Sequence, residues 1–268
     1  KGECVMGRQL TFGSLFAGIG GFDLGLGRVG MRCLWQVEND KRKIRVLEQH
    51  FPAVRRFLDV RCCQVTPVDL VCGGDPCPAR SRARGDRPSR HPDLSGYFLA
   101  VVGRLEPLWV VRENVPAPDA FYFAAGLEAI GYRVVALAFD SRDFTGQSRR
   151  RDYLCACTDH GTAGRFQRIV SDASESRRFS PSRSEEETPI AACLTAHGNR
   201  MAAEDTFCFE PGGRGLRILS AEEAEALQGF PRGWTAGFPE RRRRAMVGEA
   251  VTVPVVEWIG RRIIEAAA

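Results

Sequence analysis

A glycine-rich turn closes the first apolar run of the chain, and an acid stands at the end of the second. Residues 10–16 lead into Gly18-Ile-Gly20-Gly21, and residues 33–37 lead into Glu38. Glycines after a first strand let the backbone approach a nucleotide or its substitute closely. Glu38 lies 20 positions after Gly18. A strand-end carboxylate at that spacing accepts hydrogen bonds from both hydroxyls of a ribose. The turn and the acid together predict a bound adenosine cofactor. Asp23 stands where a strict G-x-G-x-x-G would place its third glycine. That disfavours a pyrophosphate-binding dehydrogenase.

The rest of the first half alternates strand and helix patterns. Helices are predicted over 22–29, about 40–50 and about 120–130, and strands over 68–72, 108–111 and 133–137. Such alternation argues for an α/β fold with a mostly parallel sheet, covered by helices on both faces. Sheets of this kind bind ligands at the carboxyl ends of their strands. The turns at Gly18, Cys77 and Glu113 all fall at those ends. Residues 161–214 are rich in Ser, Arg and Glu, and periodicity is lost there, so a small irregular domain or a long insertion is expected. Helical pattern returns at Ser220, where Ser220, Glu222 and Glu223 form a plausible capped start. Near the end, Val255, Val256, Ile259, Ile263 and Ile264 form a stripe suited to a helix packing back on the first domain.

Composition sets limits on the class of protein. With 268 residues and 44% hydrophobic, the chain can build one substantial domain plus a small one. No apolar run approaches the roughly 20 residues of a membrane span. Residues 1–10 hold no signal-peptide core. A cytoplasmic protein without a membrane partner is the expectation. Formal net charge is +5, and only Lys1, Lys41 and Lys43 of the 38 basic residues are lysine. Arginine is the better fork for phosphates and guanine edges, although a GC-rich genome has the same effect. Cys155-Ala-Cys157-Thr-Asp-His160 resembles a metal hook but has no fourth ligand in sequence reach. Two buried thiols at a strand end, and no metal, are expected there.

Further motifs follow in order. Pro76-Cys77 leaves a central strand beside many arginines, a setting that lowers a thiol pKa. Glu113-Asn114-Val115 ends the next strand. Gln147-Ser-Arg149-Arg-Arg151, Leu227-Gln-Gly-Phe-Pro231 and Gly248-Glu249-Ala250-Val251 come later. Taken singly, each has a bland reading: a buried cysteine, a capping acid, a solvated charge run, a helix stop. As an ordered set with the glycine turn and Glu38, they resemble the cytosine-5 DNA methyltransferase family of bacterial or phage type. The match runs from Leu10 to the C-terminal helix and is absent only from about 161–214.

The resemblance implies a Rossmann-like S-adenosylmethionine-dependent methyltransferase domain with a small irregular target-recognition domain. It places a catalytic and cofactor-binding domain at 8–160, target recognition at 161–235, and a returning segment at 236–268. Cys77 would add to C6 of cytosine, and Glu113 would hydrogen-bond N3 and the exocyclic amine. Arg149 would hold the base at O2, with Arg151 supporting local structure. Phe16, Gly18, Ile19, Gly20, Glu38, Asn39, Asp59, Val60, Pro76, Glu249 and Val251 would line the cofactor pocket. Ser81, Arg82, Arg84 and Gln147 would meet double-stranded DNA, whose target base must be flipped out to be reached. No obligate protein partner is evident, and a monomer of a restriction-modification system is implied. Three positions depart from the family: Pro78 where Gln is usual, Asn39 where an apolar residue is usual, and Glu249 where Asn is usual. Two alternatives stay open. One is a cytosine-5 tRNA methyltransferase, separable by comparing duplex DNA with tRNA as acceptors. The other is a non-catalytic DNA-binding relative, which would form no covalent adduct.

Overall fold

The computed structural model describes residues 8–76, 93–178, 207–209 and 216–268. Its centre is a seven-stranded sheet in the order β3-β2-β1-β4-β5-β7-β6. The strands are β1 (Thr11–Leu15), β2 (Arg32–Val37), β3 (Arg55–Phe57), β4 (Leu70–Gly73), β5 (Trp109–Asn114), β6 (Arg133–Asp140) and β7 (Arg150–Cys157). All pairings from β3 across to β5 are parallel, while β7 runs antiparallel to both β5 and β6. The expected mostly parallel α/β sheet is present, and β7 reverses its far edge. A separate two-stranded antiparallel sheet joins β8 (Phe207–Phe209) to β9 (Leu216–Ile218).

The central strands bury both faces, so they read as continuous apolar runs rather than alternating ones. Leu70 and Cys72 face one core while Val71, between them, faces the other. Trp109 and Val111 flank Val110 in the same way. The first core is closed by α1 (Gly21–Arg28), α5 (His160–Arg178) and α8 (Val253–Ala267), the second by α3 (Ser95–Leu105) and α4 (Asp119–Ala129). Helix α1 meets α8 closely at Gly25, where a Cβ would come within 2.7 Å of Val256 Cγ1. A third cluster joins α2 (Lys41–His50), α6 (Ala221–Leu227) and α7 (Glu240–Glu249) around Phe230 and Trp234.

Several expectations need adjustment. Phe16 is not part of the first strand; at φ 52° it begins the turn. Periodicity does not end at residue 161. Helix α5 fills the start of that segment and buries Ala163, Phe166 and Val170 in the first core. Its Ser- and Arg-rich sequence masks a sparse apolar stripe. Ile264 leaves the C-terminal stripe and is 38% exposed, because five residues from Ile259 it has rotated off the buried face. Strand β3, helix α3 and most of β7 were not anticipated. The capped start at Ser220 is present: Glu223 N donates to Ser220 Oγ (3.2 Å) and Ser220 N to Glu223 Oε2 (2.8 Å). Cys155 and Cys157 are buried thiols on β7. Among the described residues, no helix is long and apolar enough to cross a membrane.

Candidate active site

The turn after β1 and the acid after β2 meet directly. Gly18 N donates to Glu38 Oε2 at 2.8 Å. Asn39 N and Asp40 N donate to Glu38 Oε1 at 2.9 and 2.8 Å. Three backbone donors thus fix the carboxylate at the carboxyl edge of the sheet. Gly18 adopts φ 60°, and a Cβ there would meet only Phe16 O, at 3.9 Å. The backbone is therefore open to a ligand at that point, next to an oriented acid. This fits an adenosine-type cofactor.

The other expected cofactor residues divide. Phe16 is half-buried beside Phe98, Asn39 and Pro76 are exposed, and Val60 is buried in the second core. The Arg61 hydrogen bonds hold the Asp59 carboxyl down at about 2, and that pairing must share the acid with any adenine amine. Ile19 turns its side chain into the third cluster, with Val46, Phe230 and Trp234, and leaves its backbone to the turn. That backbone is held too, since Trp234 Nε1 donates to Ile19 O at 2.8 Å. The Trp234 ring stacks on His50 with 3.5 Å between centroids. Gly20 abuts Phe51, which a Cβ would meet at 2.5 Å.

The turn that leads to Cys77 leaves β4 at Gly73 and runs through Gly74, Asp75 and Pro76. Cys77, Ser81, Arg82 and Arg84 lie outside the described residues. Glu113 ends β5 and is 8% exposed. It faces the turn, because a Cβ on Gly74 would lie 3.0 Å from Glu113 Oε2. Arg151 Nε approaches Glu113 Oε1 at 3.1 Å as an ion pair. Among the described residues that oxygen has no well-aligned hydrogen bond, although it is buried.

The two motif arginines reach different partners. Arg149 is 3% exposed, and it donates to Gly248 O and Ala250 O, both at 3.1 Å. It ties its loop to the final motif, while Arg151 stands at the acid. Arg149 precedes β7, which begins at Arg150, so the pleat that directs Arg151 does not direct Arg149. Gln147 is fully buried, and among the described residues both atoms of its amide lack a hydrogen-bond partner.

A chain of buried polar groups continues from there. Ser141 Oγ and Thr252 Oγ1 lie 2.7 Å apart, and Thr252 Oγ1 donates to Gln228 Oε1 at 2.7 Å. Gln228 Nε2 reaches Val247 O and Ala250 O, each at 3.3 Å. The Leu227–Pro231 motif is therefore more than a helix stop: it braces the final motif. Val251 packs on Gly21 at the start of α1, buried rather than open. Glu249 pairs with Lys43 of α2 at 2.6 Å, not with an arginine of α7. Burial depresses the Lys43 ammonium, and Glu249 and then Glu38 outweigh it and raise its pKa. The carboxylate that stands where the family usually has Asn is thus offset by a lysine. Sequence reasoning missed Lys43 and Trp234, which sit outside every motif.

A family model described as C-5 cytosine-specific DNA methylase matches residues 10–208 and 167–265. The Bacillus subtilis type II methyltransferase M2.BsuMI is 28% identical over 292 residues, covering 93% of this chain and 74% of that protein. The Herpetosiphon aurantiacus type II methyltransferase M.HgiCII is 34% identical over 165 residues, covering 54% of this chain and 36% of that protein. Among solved structures, a Spodoptera frugiperda DNMT2 variant superposes with a TM-score of 0.71 over 96% of this chain, at 13% identity. That likeness bears on the fold alone.

Proposed function

This chain belongs to the C-5 cytosine-specific DNA methylase family, as an S-adenosylmethionine-dependent DNA cytosine-5 methyltransferase, and we propose that Cys77, Glu113 and Arg151 carry its chemistry. The observation that supports this assignment is the meeting of Glu113, Gly74 and Arg151 at the ends of β4 and β5. Cytosine C5 is too weak a nucleophile to be alkylated unaided. The Cys77 thiolate adds to C6, forming a C–S bond and leaving C5 enamine-like, which splits one hard step into two easier ones. Glu113 hydrogen-bonds the N3 edge and the exocyclic amine as the ring gains negative charge. Arg151, beside Glu113, holds the base at O2; Arg149 supports the loop and the final motif from below. With the methyl group bonded to C5, the C5 proton passes to water and the C–S bond to Cys77 breaks, which restores the aromatic ring.

S-adenosylmethionine supplies the methyl group when bound. Glu38 and the Gly18 backbone would hold it at the ribose, and Phe16, Asp59 and Val60 would hold it at the adenine. The target base leaves the duplex to reach Glu113, at a cost of a few kcal/mol. Ser81, Arg82 and Arg84 are assigned to the DNA backbone beside it. A single copy of the chain suffices for this chemistry, in the cytoplasm of a bacterium or a phage-infected host.

Duplex DNA carrying 5-fluorocytosine tests the assignment, because fluorine cannot leave as a proton does. The protein should be trapped covalently with that DNA, and Cys77→Ser should abolish the adduct. Trapping of the serine variant at the wild-type level would refute Cys77 as nucleophile.

A further inference from the structure

Beyond the last rung between β4 and β5, a buried ion-pair cluster binds the two strand ends, and none of the motifs accounts for it. The ladder ends with Gly73 opposite Arg112. Past that point Arg112 Nε donates to Asp75 Oδ1 at 2.5 Å, and its Nη2 donates to Asp75 Oδ2 at 2.8 Å. The same Nη2 reaches Asp119 Oδ2, on the first residue of α4, at 3.0 Å. Both side chains of the Arg112–Asp75 pair are 1% exposed. The guanidinium also lies 4.3 Å over the Phe123 ring. Asn114 Nδ2 donates to Asp75 O at 3.3 Å, so Asp75 is held through both its side chain and its backbone.

Stability alone is a poor reason for such a cluster. Removing two charges from water costs several kcal/mol per ion, and well-packed apolar residues in their place are often as stable or more so. A bidentate fork supplies something apolar contact does not, namely a fixed angle as well as a fixed distance. The location gives that property a use. Asp75 follows Gly74, the residue against which the Glu113 carboxylate rests. Arg112 directly precedes Glu113. One ion pair therefore joins the neighbours of the acid to the turn that faces it.

We infer that Arg112 and Asp75 are positioning residues for methyl transfer: their buried fork holds the Gly74–Pro76 turn at a set spacing from Glu113. The inference rests on the reaction proposed above. Neither side chain touches the base; both act through the geometry of Glu113 and of the turn leading to the nucleophile.

The test is an exchange of the whole cluster, Asp75→Leu with Arg112→Met and Asp119→Asn, in the full chain, so that no carboxylate is left without its cation. The methionine can still lie over Phe123. A pair that only stabilises the fold would be replaced without loss of rate. The inference instead expects an unchanged or higher melting temperature and unchanged affinity for S-adenosylmethionine and for duplex DNA. Single-turnover methyl transfer and adduct formation on 5-fluorocytosine DNA should fall together by about 10–100-fold, the scale of a small misplacement of reacting groups. In steady state the loss should appear in kcat and not in KM for DNA. Asp75→Asn keeps the shape but breaks one arm of the fork, and should show the same split to a lesser degree. Wild-type rates in either folded variant would overturn the inference. So would a fall in rate matched in both variants by equal losses of melting temperature and cofactor affinity. Failure of the wild type to form the adduct would instead overturn the proposed reaction, and is seen before any variant is made.

Discussion

At the scale of single residues, the two motif arginines separate by what they touch. Arg151 pairs with Glu113, whereas Arg149 donates to two backbone carbonyls of the final motif. Arg151→Ala should lower kcat sharply while the protein melts as before. Arg149→Ala should destabilise the fold by about 1–3 kcal/mol, because Gly248 O loses its side-chain donor while Ala250 O keeps Gln228 Nε2. Thermal melts and single-turnover rates on both variants check the division, and the reverse pattern would restore the opposite assignment. Glu38 makes a similar case. Its carboxylate is oriented by three backbone N–H groups. Glu38→Ala should weaken S-adenosylmethionine binding by about 1.5–3 kcal/mol, the range for a hydrogen bond to a charged group. DNA affinity should hold, and calorimetry with each ligand decides.

Among the elements, α6 shows how local sequence and distant packing combine. Its start is written locally, in the reciprocal box of Ser220 and Glu223. Ser220→Ala should cost about 0.5–2 kcal/mol, read from chemical denaturation. Arg217 donates to Glu223, and that bond foremost pulls the Glu223 carboxyl from 4.5 down to about 2. A carboxyl depressed in the folded state adds stability above its unfolded value, and that contribution is lost as pH falls through the folded value. Glu223→Gln should therefore flatten the fall of melting temperature between pH of about 4.5 and about 2. An unaltered slope would show that Arg217 does not favour the ionised form. The buried side of α6 was not legible in the same way. Glu225 is fully buried and accepts from Gly233 N (2.6 Å), Thr235 N (2.9 Å) and Arg243 Nη2 (3.0 Å). Nothing within α6 distinguishes this acid from its exposed neighbour Glu222.

For the whole molecule, the open question of function is which DNA sequence is methylated. We place that choice after α5, within the part of 161–235 that lacks family motifs. Helix α5, at the start of the span, packs one face into the first core. Grafting a relative's segment in place of 179–215 should move the methylated site, read by bisulfite or nanopore sequencing of DNA from expressing cells. An active graft that keeps the original site would refute the placement. The sequence by itself determined the α/β class, the glycine turn and its acid, and the order of the motifs. Those depend on local patterns: apolar runs buried on two faces, a spacing set by one strand and one helix, and residue types that the chemistry demands. It also carried the capped start of α6, because that box closes within four residues. Only the tertiary structure decided which arginine meets Glu113, that Gln147 is buried, and that Lys43 offsets Glu249. It alone joined Arg112 to Asp75, 37 positions apart. These contacts arise where strands distant in sequence lie side by side, and a linear pattern holds no record of which side chains that pairing brings within hydrogen-bonding distance.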